Sequence, residues 1–340
     1  MLPNWIIIGA PKAATSTLFR WLADHPQVGG PREKETYYFV DPGTHMFRPR
    51  SNFRDGGLEG YEKLFGSCDR SAKVVIEATP GYLYSETAVR ELPHLPTRPE
   101  FIVVLREPVA QLQSLFSYFQ QNWNWIPRDM TFRDFIAAVE DGSSDFGGNE
   151  LAANAIANAW YPEHLRRWEA AVGRERLHIL LFEELVSDNR ATMQRLATKL
   201  GIHPCFYEDY DFPRENRTYV ARSGALQDLN IGLRSRLPQG ALYDILRWLY
   251  RLINTRPPGF QARDVELESA LADRFSPMLT ELERDFQLDV TLWRTAIRAR
   301  KLTSANAAPS DSRQEYRAAA GHLGRLVPAM ISRSSAREFE

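Results

Sequence analysis

Cysteine is scarce in this chain: Cys68 and Cys205 are the only two among 340 residues. They lie far apart with no metal-ligand pattern around either, which excludes a disulfide framework and a cysteine zinc site. They read as reduced thiols of a cytosolic protein, with pairing between them as the alternative. Charge of one sign is missing too. Lys and Arg number 42 against 43 Asp and Glu, so the net charge of -1 exerts no global pull on nucleic acid or anionic lipid. No apolar run reaches the roughly 18 residues that a membrane span requires. The chain arrives at Trp5-Ile6-Ile7-Ile8-Gly9 too early, and without a basic lead, for a signal peptide. The expectation is a chain that starts on its first structural element, in the cytoplasm.

What is present is an apolar content of 44%, enough for one large α/β core or two modest ones. Trp5–Ile8 is a continuous apolar run ended by Gly9, the pattern of a strand buried on both faces. Leu18, Phe19 and Leu22 recur at helical spacing between Thr15 and His25, before Pro26. Lys73–Glu77, Phe101–Leu105 and Leu177–Phe182 read as further strands. A helix over roughly 109–121 follows Pro108, and another, capped by Ser187 or Asp188, runs to Leu200 and stops at Gly201. Residues 131–172 look helical, with Phe132, Phe135, Ile136 and Val139 on one face. Residues 226–254 read as an amphipathic helix interrupted near Pro238. Its segment 242–250 packs on its own domain, with contact to a membrane surface as the alternative. Past about residue 303 the composition turns to Ser, Ala, Arg and Pro, as in a mobile tail. Strands alternating with helices imply a parallel sheet with helices on both faces, whose ligands bind beyond the carboxyl ends of the strands.

The first such end is Gly9-Ala10-Pro11-Lys12-Ala13-Ala14-Thr15-Ser16-Thr17. A buried strand turns through small residues into a helix, so free backbone N–H groups and the positive helix end converge on one point. Lys12 adds a mobile cation and Thr15, Ser16 and Thr17 add hydroxyls, a site for a phosphate or sulfate group. A nucleotide-triphosphate loop would place Lys after the last Gly and directly before Ser or Thr, and this loop does not. An N-cap beside a surface lysine is the plainer alternative.

This loop resembles the 5′-phosphosulfate loop of sulfotransferases dependent on 3′-phosphoadenosine-5′-phosphosulfate (PAPS). The resemblance is to the carbohydrate type, the heparan sulfate N- and 3-O-sulfotransferases and their bacterial relatives, and extends with gaps from about residue 4 to 228. It implies an α/β, P-loop-like three-layer sandwich with a central parallel sheet flanked by helices, and PAPS held by Pro11, Lys12, Ala13, Ala14, Thr15, Ser16 and Thr17. Val103-Val104-Leu105-Arg106-Glu107-Pro108, with Ser114 two helical turns on, is similar to the family's 3′-phosphate site. There Arg106 supplies a bidentate fork and Ser114 a hydroxyl. The family often has a second Arg where Gln111 stands. Arg214-Glu215-Asn216-Arg217-Thr218-Tyr219-Val220-Ala221-Arg222-Ser223-Gly224 resembles the late loop that folds over the cofactor. The resemblance implies that Arg222 reaches the 3′-phosphate while Ser223 and Gly224 offer backbone donors.

Arg32-Glu33-Lys34-Glu35-Thr36-Tyr37-Tyr38-Phe39 resembles the Lys-Glu segment of the glycosaminoglycan sulfotransferases, whose Glu is the catalytic base. That role carries to Glu35, with Lys34 beside the substrate. Partial burial among Tyr37, Tyr38 and Phe39 is expected to raise the Glu35 pKa, against Lys34. Mutual ion pairs in a surface run are the alternative. Glu77-Ala78-Thr79-Pro80-Gly81-Tyr82 is similar to the family's Glu-Lys-Thr/Ser-Pro-x-Tyr turn, which places Thr79 and Tyr82 near the substrate. Ala78 replaces a Lys there and removes a positive charge meant for an anionic sugar. Trp123 and Trp125, with Trp160-Tyr161, form either a stacking platform or core.

The expectation is one sulfotransferase domain over residues 1–303, with a cofactor-covering loop at about 212–228, a helical part at about 226–300, and a tail over 304–340. It moves a sulfuryl group from PAPS to a hydroxyl or amine of a saccharide, glycolipid or small metabolite, and requires no metal. Glu35 takes the proton and Lys12 steadies the leaving phosphate. Nucleic acid is not a partner, and an oligomer is compatible with the composition. The scarce cysteines and missing membrane stem fit a bacterial enzyme better than a Golgi one. A small-molecule P-loop kinase and a non-catalytic nucleotide-binding module are the rival readings.

Overall fold

Five short apolar segments form one parallel sheet. They are β1 (Trp5–Gly9), β2 (Val28–Gly29), β3 (Val74–Ala78), β4 (Glu100–Leu105) and β5 (Leu177–Leu181), in the order β2-β3-β1-β4-β5. Every residue of β1 and β3 is buried, as runs covered on both faces must be. The computed structural model describes residues 1–213, 220–234, 253–256 and 264–307, with Leu246 and Tyr250. Residues 214–219 of the expected cofactor loop, most of the 235–252 stretch, and the expected tail from 308 lie outside the described residues.

The sheet is flanked by helices, the α/β architecture the alternation implies. The first four α-helices are α1 (Thr15–Ala23), α2 (Phe53–Lys63), α3 (Glu86–Glu91) and α4 (Pro108–Tyr118). Gly9 ends β1 because the chain passes close there: a Cβ on it would sit 2.7 Å from Cβ of Leu83. α4 starts on Pro108, and the Glu107 side chain accepts hydrogen bonds from the Val109 and Ala110 amides. It ends at Tyr118, short of the expected 121, in a wider π-helical turn over Phe119–Trp123. Asp188, not Ser187, caps the helix Asn189–Leu200, which ends with Gly201 left-handed.

The middle region departs from one long helix. It is broken into Phe132–Asp141, Glu150–Ala153, Ala155–Asn158 and Tyr161–Val172, because Gly142 turns left-handed and Asn149 caps a new start. Tyr161 is fully buried and donates to the Arg106 carbonyl at 2.8 Å. The Trp160-Tyr161 pair is therefore a support for the β4 end and not a stacking platform. The C-terminal helices Val265–Phe286 and Thr291–Ala307 brace the same place. Arg300 joins the Glu107 carboxylate at 2.7 Å and the buried Glu268 at 3.4 Å, while Gln113 of α4 donates to Glu268 at 2.7 Å.

Candidate active site

The chain crosses from one side of β1 to the other between β3 and β4, so the crevice at the carboxyl ends of β1 and β4 is the switch point of the sheet. The two ends are locked together by the Ala10 amide, which donates to the Val104 carbonyl at 2.8 Å. Beyond them, Lys12 and Ala14 take left-handed conformations (φ 67° and 63°), costing on the order of 1–3 kcal/mol each. That contorted loop delivers α1 with no side-chain cap on its first turn, leaving its leading amides free of intrahelical partners. Nη1 of Arg106 donates to the Lys12 carbonyl at 3.0 Å, and Nε2 of Gln111 donates to the Pro11 carbonyl at 3.1 Å. Two polar atoms of this pair stay buried and unpartnered among the described residues: Arg106 Nε and Gln111 Oε1. The Arg106 guanidinium stacks 4.5 Å from the Phe182 ring, which fixes its plane.

Lys12 turns its ammonium over the Tyr118 ring, 3.6 Å from the centroid. Burial pulls its pKa down to about 8, helped by Arg106 and Lys34 and opposed by Glu35. Glu35 arrives from the segment after β2. That segment is laid across the end of β3 by the Ala78 amide on the Lys34 carbonyl and by the Tyr37 amide on the Thr79 hydroxyl, both at 3.3 Å. The Glu35 carboxylate accepts from Lys34 at 2.7 Å on Oε1 and from the Tyr37 hydroxyl on Oε2. Burial pushes the Glu35 pKa up, but the Lys34 charge, the two hydrogen bonds and Lys12 outweigh it and hold the carboxyl below its ordinary value. The expected upward shift is thus corrected, because the cations sit closer than the apolar rings count.

Thr79 and Tyr82 do not face the cleft. Both are fully buried, and with Thr36 they form a hydrogen-bonded floor around the Glu77 carboxylate. Thr36 and Thr79 donate to Glu77 at 3.0 and 2.5 Å, and the Tyr82 hydroxyl meets Thr36 Oγ1 at 2.9 Å. Burial raises the Glu77 pKa to about 7 against these bonds. The two residues expected beside a substrate instead hold the segment that carries Glu35. Lys34 likewise spends its ammonium on Glu35.

Over these groups opens a cleft of about 370 Å³. Pro11, Lys12, Thr15, Ser16, Glu35 and Tyr37 line its floor; His45, Phe47, Arg48, Tyr118, Phe119, Trp123 and Trp125 are among its walls. Trp123 and Trp125 thus line the cleft, and Trp125 also packs against the core. Ala13, Ala14 and Thr17 shape the loop without lining this cleft, and Ser114 lies partly exposed on α4. Pattern reading missed His45, whose Nδ1 donates to Glu150 at 2.7 Å. The two stand 105 residues apart, and no local signal links them.

The described part of the late loop is held by its own neighbours. The Arg222 and Ser223 amides donate to Asn254 at 2.8 Å each, Ser223 Oγ accepts from the Leu226 amide at 3.4 Å, and the Gly224 carbonyl accepts from Arg128 at 3.1 Å. Arg222 is exposed there.

No family model matches the chain. In sequence it is similar to the bifunctional heparan sulfate N-deacetylase/N-sulfotransferase 4 of Mus musculus, at 23% identity over 208 residues, 60% of this chain and 23% of that protein. It is also similar to the heparan sulfate glucosamine 3-O-sulfotransferase 3B1 of Mus musculus, at 27% identity over 203 residues, 59% of this chain and 46% of that protein. In structure it superposes on a sulfotransferase from Alicyclobacillus acidocaldarius with a TM-score of 0.61 and 21% identity, over 86% of this chain and 99% of that one. The chain spans about a quarter of the first relative and under half of the second. Its relatives are sulfotransferases, and its fold is that of a sulfotransferase.

Proposed function

We propose that this chain is a PAPS-dependent sulfotransferase acting on a hydroxyl or amine of a saccharide or small-metabolite acceptor. The observation that carries the proposal is the buried, unpartnered Nε of Arg106 beside the uncapped start of α1. A fixed guanidinium with an unspent donor, next to free amides and Lys12, suits a ligand with two separate anionic groups. In this reading Arg106 and Ser114 hold the 3′-phosphate, with Arg222 added from the late loop. Lys12 and the amides from Ala14 to Thr17 hold the 5′-phosphosulfate.

The acceptor oxygen attacks sulfur in line with the bridging oxygen of the phosphosulfate. The new S–O bond forms as the old one breaks, and the electron pair leaves with adenosine 3′,5′-bisphosphate. Lys12, charged at neutral pH, meets the negative charge on the leaving phosphate. Glu35 takes the acceptor proton. Its low pKa keeps it ionised and ready at neutral pH, and it must exchange the Tyr37 or Lys34 hydrogen bond for the acceptor's. Cys68 and Cys205 are both free thiols, which suits a reducing compartment such as the cytoplasm. No helix among the described residues is long and apolar enough to cross a membrane.

Thermal unfolding with adenosine 3′,5′-bisphosphate, beside ADP and ATP–Mg²⁺ at matched concentration, tests the donor assignment. Saturation at about a hundred times Kd adds roughly 2.7 kcal/mol, a readable rise in Tm. A rise confined to ATP–Mg²⁺ replaces this reading with a small-molecule kinase.

A further inference from the structure

The walls of the cleft differ in chemistry from its floor. Beyond Lys12, Glu35 and Tyr37 the lining is mostly apolar and rich in aromatic rings, from Phe47, Tyr118, Phe119, Trp123 and Trp125. Trp123 is 37% exposed and donates its indole N–H to the Tyr118 hydroxyl at 2.8 Å, so the two rings stand as one surface. Trp125 meets the His45 ring edge-on at 5.7 Å.

Charge in the cleft is already spent. Among the described residues lining it, the ionised or ionisable groups beyond the tyrosines are Lys12, Glu35, His45 and Arg48. Lys12 belongs to the donor end. Arg48 is paired with Glu33 at 2.9 Å and stacked on Tyr37 at 4.7 Å. His45 is held by Glu150, whose Oε2 accepts both its Nδ1–H and its backbone amide, at 2.7 and 2.9 Å. With Nδ1 spent on that carboxylate, only Nε2 of the ring remains to meet a ligand. Among the described residues lining the cleft, an acidic sugar meets the Glu35 carboxylate and, beyond Lys12 at the donor end, no cation without an anionic partner. A flat neutral ring finds aromatic faces on several sides. At about 370 Å³ the space lies near the lower end of small-molecule sites, and the sulfuryl end of the donor takes part of it.

We infer that the acceptor is a neutral aromatic hydroxyl compound, a phenol or fused-ring alcohol, and not an anionic saccharide. The inference rests on the sulfuryl-transfer reading above and narrows it. The ring lies between the Trp123–Tyr118 surface and the Phe47–Trp125 side. The hydroxyl proton passes to Glu35, the oxygen bonds to sulfur, and the bisphosphate leaves with the electron pair.

The test measures initial rates of sulfation from PAPS with 2-naphthol, with a neutral disaccharide, and with an N-desulfated heparin oligosaccharide. Bisphosphate affinity is measured alongside by calorimetry. The expected result is a kcat/KM for 2-naphthol at least tenfold above either sugar. Trp125→Ala and Phe47→Ala are each expected to raise KM for 2-naphthol about fivefold, with kcat and the bisphosphate Kd unchanged. A preference for the oligosaccharide or disaccharide overturns the acceptor class and leaves the donor reading standing, as does an absence of naphthol turnover in a protein that binds the bisphosphate. Naphthol turnover indifferent to both substitutions also overturns it, by removing the ring from these walls. Failure to bind the bisphosphate removes both readings together.

Discussion

In the sulfuryl-transfer reading proposed above, the donor end and the acceptor end of this cleft are built by different means. The donor end is made by main chain: β1 and β4 are neighbours, their ends are locked by the Ala10–Val104 hydrogen bond, and Lys12 and Arg106 follow within a few residues. The acceptor end is made by side chains from separate stretches, Tyr37 to Arg48, Tyr118 to Trp125, and Glu150 behind His45. A sheet places charge reproducibly because strand pairing fixes where each strand ends. Loops and helix ends set what lies above it, and they vary without disturbing the sheet.

That division is open to direct attack. Glu35 sits where the two halves meet, and Glu35→Gln is expected to cut kcat by about 10²–10⁴ while leaving the bisphosphate Kd intact. Full activity in the variant would remove Glu35 as the base. Within the donor half, Arg106→Lys keeps the charge but loses the planar fork and its stacking on Phe182. Calorimetry should show bisphosphate binding weakened about 10- to 100-fold, with acceptor KM little changed. An unchanged Kd would detach the 3′-phosphate from Arg106.

Glu77 lies under both halves. Its folded pKa of about 7 stands above its ordinary value of 4.5, so burial favours the protonated form. The stability this contributes is present below about pH 4.5 and is lost as pH rises through 7. Glu77→Gln, which cannot ionise, should therefore gain stability relative to wild type between pH 4.5 and 7, by at most about 3 kcal/mol, and level off above. Chemical denaturation across that range checks it, and a pH-independent difference would contradict the assignment.

Lys12 gives the smallest and opposite case. Its pKa is lowered from 10.5 to about 8, so its charged form is penalised below pH 8 and the penalty is relieved as pH rises toward 10.5. Lys12→Met should raise stability near pH 7 by on the order of 1–2 kcal/mol, since solvent reaching the half-buried ammonium trims the full shift. The gain should shrink toward pH 10 in the same denaturation series. In calorimetry the variant should also lose affinity for the bisphosphate. A variant less stable than wild type at pH 7 would mean that the cation–π contact with Tyr118 outweighs the desolvation.

The unequal legibility of the two halves has the same origin. Lys12 and Arg106 stand in contiguous strand–loop–helix patterns, and the strands ended within a residue of where the apolar runs stopped. β2, two residues long, carries no period to read, and α2 is interrupted by Gly57 with φ 53°. Thr79 and Tyr82 sit in a recognisable turn, yet which way their side chains point depended on Thr36, distant in the chain, meeting Glu77 and Tyr82. The same holds for Glu35. Its neighbours in sequence suggested an apolar setting that raises its pKa, while the folded segment brings its own Lys34 and Tyr37 back onto the carboxylate and Lys12 from across the sheet.

The amino-acid sequence alone determined the parallel α/β sheet, the small-residue turn with Lys12 after β1 and the Arg at the end of β4. Apolar runs, small residues and caps act over a few positions, and the backbone obeys them locally. Only the tertiary structure decided that Thr79 and Tyr82 are floor, that His45 and Glu150 form a pair, and that the walls above Glu35 are aromatic with their cations spent. Those properties are sums over groups far apart in the chain, and burial and charge act through space.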